Sequence, residues 1–335
     1  MSEFSLYDCV SPLDFRYYLP DPHMTGLLAE YVSESARVRS EARVEAAVAR
    51  VLGRRGICSQ AVADEIARAA EQVTPEEVAA EEARIHHNIR ALVNSMKQHV
   101  SDAAKPYIHF TLTSFDVIDT ATAWRLKGAA HHAVIPALLD LERILIALTR
   151  REAETLQIGR THGQHAVPIT FGFAMAEYVS RLGGRIEKIR ETADSLRGKI
   201  SGAVGAYNAS SLLIDDPEAF EREVLAELEL QPSTHSTQIV EAEFVADFMH
   251  ALVSAFGVLA NLADDMRNLQ RTEIEEVAEQ FEADQVGSST MPHKRNPWNF
   301  ENVKSLWKEF MPRMVTVYQD QISEHQRDLT NSASQ

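Results

Sequence analysis

Cysteine is nearly missing from this 335-residue chain: Cys9 and Cys58 are the only two. Two cysteines cannot build a disulfide scaffold, and their spacing is not that of a zinc site, so a reducing cytoplasm fits. Positive charge is also scarce. Lys and Arg number 33 against 49 Asp and Glu, for a formal net charge of −16. That argues against general nucleic-acid binding, which needs a basic face. It leaves room for an anionic small substrate, because a pocket needs only a few local cations. The opening MSEFSLYDCV carries acids and no long apolar core, so it does not read as a signal peptide. No apolar run reaches the ~18 residues of a membrane span, and no membrane partner is expected. Alternating strand patterns are almost absent, with residues 200–204 the likeliest short extended piece. No internal repeat or low-complexity tract stands out.

What is present is helical periodicity on a globular background of 45% hydrophobic and 24% charged residues. Val44, Val48 and Val51 recur at i, i+4 and i+7, and the segment stops near Gly53. Thr74, Pro75 and Glu77 form a helix start, with Thr as cap, Pro at the first position and Glu three residues on. That helix is expected to run to about residue 100. Thr113 or Ser114 caps the next, which reads through Ala129, and Pro136 opens or kinks its continuation toward Arg150. Pro168 is expected to open another, closing near Gly198. Asp216 and Pro217 start a shorter piece. Residues 238–279 and 297–328 read as helical, the latter kinked at Pro312. Several of these segments exceed ~25 residues, so the expected fold is all-α, an elongated bundle of long helices. Phe244, Val245, Phe248, Met249, Leu252 and Val253 sit nearly all round one helix, which therefore needs several neighbours. Some of those neighbours are expected from other chains. Length suggests two domains, and the boundary is drawn near residue 108, giving 1–108 and 109–335.

Residues 287–296, Gly-Ser-Ser-Thr-Met-Pro-His-Lys-Arg-Asn, concentrate the chemistry. Glycine, hydroxyls, a lysine and an amide in one short stretch can wrap backbone N–H groups around an anion and present a Ser oxygen to it. The stretch resembles the signature of the fumarase/aspartase superfamily, Gly-Ser-Ser-x-Met-Pro-x-Lys-x-Asn. Three more stretches narrow the resemblance to the adenylosuccinate lyase family: Thr-Leu-Thr-Ser-Phe-Asp-Val at 111–117, Gly-Arg-Thr-His-Gly-Gln at 159–164, and Gly-Ala-Val-Gly-Ala-Tyr-Asn at 202–208. The starts and ends of the chain, 11–17 and 326–330, look like that family too. The resemblance implies a homotetramer of long helices whose active sites form where three subunits meet. It implies elimination of fumarate from a succinylated purine nucleotide, with no cofactor and no metal.

Anti β-elimination needs a base for a weakly acidic C–H, a cradle for the dianionic aci-carboxylate, and an acid for the departing nitrogen. The resemblance makes Ser288 the base, its alkoxide stabilised by loop N–H groups and Lys294. Lys294 and Asn296 also hold the carboxylate whose charge grows, beside Ser289 and Met291. His162, after Thr161, matches the general acid, a task that suits a group titrating near neutrality. Glu301 matches an acid that orients this histidine and raises its pKa. His87 falls where the family has a histidine close to the substrate. His109 precedes Thr113 and Ser114, whose hydroxyls and N–H groups at a helix start can bind a carboxylate, with Asp116 orienting the site. Gln238 matches a substrate-contacting glutamine. Arg16, Tyr17, Arg327 and Ser332 match phosphate-binding positions, where the planar fork of arginine pairs two oxygens at once.

Some positions depart from the pattern. Asn88 follows His87 where the family usually has Asp, Ala206 replaces a usual Asn, and Glu241 and Glu243 stand just past Gln238. Family members usually continue for about another hundred residues past 335, a small helical C-terminal domain included, and that domain is expected to be absent here. Two alternatives stay open: a same-fold lyase or cycloisomerase for another succinyl or carboxymuconate-type substrate, and an inactive, truncated homologue.

Overall fold

The computed structural model describes residues 13–18 and 21–322, which divide into two units. The first takes the described residues up to Val134, 193–245 and those from Asp320. The second is Ile135–Thr192 with Ala246–Gln319. Residue 108 falls inside the first unit.

The first unit is built around α2 (Glu34–Arg54), whose N-cap Ser33 accepts the Ala36 N–H. Its stripe Val38, Glu41, Glu45, Val48 and Leu52 is buried at helical spacing. Packed on it are α1 (Pro22–Val32), α3 (Gln60–Gln72), α6 (Ser114–Ala129) and α10 (Pro217–Glu227). Full burial of side chains such as Leu52, Ile66, Ile89 and Leu92 stabilises by roughly 1.5–3 kcal/mol each. The capping box read at Thr74 opens α4 (Pro75–Ile85): Thr74 Oγ1 accepts the Glu77 N–H and Glu77 accepts the Thr74 N–H. This helix does not run on to residue 100. His86 turns left-handed at φ 55°, and α5 (Asn88–Met96) starts afresh with His87 as its N-cap. No glycine or proline marks that break in the sequence. Asp216 caps α10 as expected, accepting the Ala219 N–H. Short α9 (Ser210–Leu213) completes the helices of this unit. In place of an extended piece at 200–204, a two-residue parallel pair joins β3 (Arg197–Gly198) and β4 (Gln231–Pro232).

The second unit holds α7 (Ile135–Arg151), α12 (Trp298–Phe310), α13 (Arg313–Gln319), most of α8 (Phe171–Asp194) and most of α11 (Glu243–Leu269). Met175, Tyr178, Leu182, Ile186 and Ile189 form the buried stripe of α8. Polar pairs set α8 against α11: Tyr178 bonds Asp265, Arg181 bonds Asn261 and Arg185 bonds Ser254. One number rises as the other falls, so the two helices run antiparallel. Pro168 does not open α8. It lies in β2 (Gln164–Thr170), opposite Ile158 of β1 (Leu156–Thr161), in an antiparallel hairpin that the sequence reading missed. The helix expected to reach residue 279 ends at Leu269, and Pro312 separates α12 from α13 rather than kinking one helix. Only α11 exceeds 25 residues, with 27, among the described helices.

By length and composition α11 passes the test for a membrane-crossing helix, which corrects the reading that no segment does. Core helices of bundles pass the same test, and Ala246, Phe248, Ala251, Ala255 and Val258 are buried against the protein. Elsewhere this unit leaves large apolar side chains open: Ile144, Leu156, Phe173, Trp298 and Val315 are all more than half exposed.

Candidate active site

The signature stretch folds as a loop entering α12. Gly287 has no alternative: a Cβ there would collide with the Lys294 carbonyl. The Gly287 carbonyl in turn accepts Asn296 Nδ2 at 2.8 Å, and the Lys294 N–H bonds the Met291 carbonyl at 3.0 Å. Inside this closed loop Ser288 Oγ accepts two backbone N–H groups, from Thr290 at 3.3 Å and Met291 at 3.1 Å. Two amide dipoles aimed at one hydroxyl oxygen favour negative charge on it. Among the described residues the Ser289 hydroxyl bonds only the neighbouring Thr290 hydroxyl, at 3.4 Å. Lys294 is exposed, and among the described residues nothing pairs with its ammonium. Met291 is exposed, and Arg295 lies over the Phe281 ring at 4.5 Å. Gly287→Ala is expected to push the Lys294 carbonyl away and to lower turnover by about 10²-fold, the scale of a 1 Å misplacement. The half-exposed loop leaves the melting temperature nearly unchanged, so activity measured beside thermal unfolding checks this.

His162 sits with Gly163 at the tip of the β1–β2 hairpin, both at positive φ (54° and 73°). Such a two-residue turn normally takes Gly or Asn. A histidine held there costs on the order of 1 kcal/mol, and strain of this kind gathers at functional sites. The imidazole is exposed, as is Thr161 beside it, while His165 stands on β2 opposite Arg160. Glu301, in the first turn of α12, is exposed, and no hydrogen bond joins it to His162 among the described residues. The structure therefore places Ser288, Lys294, Asn296, Glu301 and His162 in the second unit without joining the acid and base positions by a bond.

The remaining positions belong to the first unit. His109, at φ 63°, is locked by Glu45: its N–H and Nδ1 meet the two carboxylate oxygens at 2.8 and 2.7 Å. Burial lowers the His109 pKa, but the Glu45 bond and charge outweigh it and leave it raised. Thr113 caps α6, its N–H bonding Asp116 Oδ2 at 2.8 Å. Asp116 is fully buried and takes the ammonium of fully buried Lys199 on its other oxygen. The Gly202 N–H meets that same oxygen at 3.1 Å, and Lys199 also donates to the Gly202 carbonyl at 3.0 Å. This ties the α6 start, with Ser114, to the glycine-rich 202–208 loop. The turn carrying half-buried Gln238 is held nearby: Val240 donates to Asp119 at 2.7 Å, and Gly205 leaves no room for a Cβ against the Ser236 carbonyl. Burial pushes Asp119 up to about 7. His87 Nδ1 accepts the Arg90 N–H at 3.3 Å, and Arg16 and Tyr17 are exposed. Arg327 and Ser332 lie outside the described residues.

The departures resolve locally. Asn88 bonds the adjoining Ile89 N–H. Glu241 is taken up by Ser233 Oγ and the His235 N–H, a brace for the Gln238 turn. Glu243 opens α11, where an acid suits the helix dipole. The sequence reading missed Glu45, Lys199, Glu276 and Glu279. For Glu45 a signal existed, an acid at a stripe position among valines and alanines. For the others the partners lie too far along the chain.

Residues 16–309 fit the family described as Lyase. The chain belongs to the lyase family. The adenylosuccinate lyase of Archaeoglobus fulgidus is 35% identical over 327 residues, covering 97% of this chain and 71% of that protein. The N-acetyl-S-(2-succino)cysteine lyase of Enterococcus italicus is 31% identical, over 88% of this chain and 64% of its own length. Among solved structures, the 3-carboxy-cis,cis-muconate lactonizing enzyme of Pseudomonas putida superposes with a TM-score of 0.80 at 25% identity, covering 94% of this lyase and 69% of that chain.

Proposed function

We propose that this lyase removes fumarate from adenylosuccinate, giving AMP, and from the succinyl-carboxamide ribotide of purine synthesis, in the cytoplasm. The observation that carries the reading is the Ser288 hydroxyl accepting two amide N–H groups in a loop that also carries Lys294, whose ammonium has no partner among the described residues. A serine hydroxyl is a poor base in water, and two fixed donors plus a nearby ammonium lower the cost of its alkoxide. In this reading Ser288 takes the proton beside the substrate carboxylate. Lys294 and Asn296 bind the aci-carboxylate, with Ser289 and Met291 closing over it. His162, oriented by Glu301, protonates the leaving nitrogen. Thr113 and Ser114 hold a carboxylate at the α6 start, and Asp116 sets that start through Lys199. Thr161, Gln238, His87 and His109 complete the substrate contacts. Arg16, Tyr17, Arg327 and Ser332 receive the phosphate.

The substrate rests on the adenylosuccinate lyases among the relatives and on the 202–208 and 111–117 stretches. The domain division near residue 108 and the homotetramer, its sites shared by three subunits, belong to the same reading. The open apolar faces of the second unit support the assembly. The test follows, by absorbance, fumarate release from adenylosuccinate, the succinyl ribotide and N-acetyl-S-(2-succino)cysteine, and lactone formation from carboxymuconate. The two nucleotides are expected to react at least tenfold faster than the others. Preference for a substrate without phosphate overturns the assignment, and a solution mass equal to the 37.4 kDa chain overturns the shared site.

A further inference from the structure

The residues between α11 and the 287–296 loop are more than a connector. Gln270 Oε1 accepts the Glu279 N–H at 2.9 Å while its Nε2 donates to the Arg295 carbonyl at 3.2 Å. Glu279 caps the start of α12, accepting the Asn299 and Phe300 N–H groups at 3.3 and 3.0 Å. Glu276 reaches the other way. Its carboxylate takes the Arg160 guanidinium on one oxygen and Gln157 Nε2, at 2.9 Å, on the other. Both donors are on β1, the strand that ends one residue before His162. The Arg160–Glu276 pair lies at the surface, with its two side chains partly covered (22% and 24% exposed). The charged, two-donor geometry separates it from an isolated surface pair. The neighbouring Glu275 is held left-handed at φ 49°, so the turn that aims Glu276 is itself strained.

Resting on the reading of Ser288 and His162 just given, we propose that Glu276 is a positioning residue: through Arg160 and Gln157 it fixes the hairpin that carries His162 relative to the segment that carries Ser288. It touches neither substrate nor reacting atoms. Its carboxylate serves two donors of one strand from a turn whose other side chains hold the loop end and the α12 start. The acid-bearing hairpin and the base-bearing segment of one chain therefore share one anchor, whichever of the shared sites each enters.

The full chain carrying Glu276→Ala tests this, read three ways. Amide hydrogen exchange over residues 158–165 is expected to rise about tenfold, while exchange in α8 and α11 stays as in the parent. Turnover for fumarate release falls between tenfold and about 10²-fold, with KM within about threefold, because the ground-state contacts remain. The charge-reversed pair, Arg160→Glu with Glu276→Arg, restores hairpin protection and a large part of the turnover. Unchanged hairpin exchange in Glu276→Ala overturns the proposal. So does exchange rising equally through α8 and α11, which would mean general loosening, and so does a charge-reversed pair that restores nothing. A parent chain that releases no fumarate counts against the function reading, and the exchange arms then decide the positioning role by themselves.

Discussion

Ser288→Ala is expected to lower fumarate release from adenylosuccinate by about 10²–10⁴-fold, the range over which a positioned base contributes. KM should hardly move. The hydroxyl meets the C–H proton only as it leaves, so its loss falls on the transition state and appears in kcat. The two N–H donors of Thr290 and Met291 stay in place in the variant, because they come from loop backbone fixed by Gly287 and Asn296. Ser289→Ala is the internal control. That hydroxyl bonds Thr290, and its loss is expected to cost less than tenfold. A Ser288→Ala enzyme keeping more than a tenth of parental turnover would remove Ser288 from the role of base, whatever the substrate proves to be.

The second large effect is on stability. Lys199→Met is expected to destabilise the first unit by about 3–5 kcal/mol, since it leaves Asp116 charged and buried without its cation. Methionine fills much the same volume, so the loss is electrostatic rather than a cavity. Asp116 retains the Thr113 and Gly202 N–H groups, which offset part of the cost. Urea unfolding of parent and variant measures the difference. Adding Asp116→Asn should recover part of it, because no uncompensated charge is then buried. A single variant within about 1 kcal/mol of the parent would show that the pair is far better solvated than its full burial implies.

Local chemistry made much of this legible. Thr74 before Glu77, Thr113 before Asp116, and Asp216 before Pro217 announce helix starts, and each start is closed by a bond spanning three residues, in the last case from the Ala219 N–H to Asp216. The 287–296 and 159–164 stretches were legible as resemblance. The β1–β2 hairpin was not, for a physical reason. Most of its residues are open on both faces, so no alternation marks it, and Pro168 carries the same signal as a helix start. The break at His86 was hidden because a histidine takes the place a glycine would advertise. The anchors Lys199–Asp116 and Glu276–Arg160 join residues 83 and 116 positions apart, beyond the reach of any periodicity.

The left-handed backbone at His162 also decides how its chemistry should be probed. Alanine there would change two things at once, deleting the imidazole and placing a poorly suited residue at φ 54°. Asparagine tolerates that conformation and cannot donate a proton near neutrality. Comparing the Asn and Ala replacements divides any lost rate into a share owed to proton transfer and a share owed to the shape of the turn.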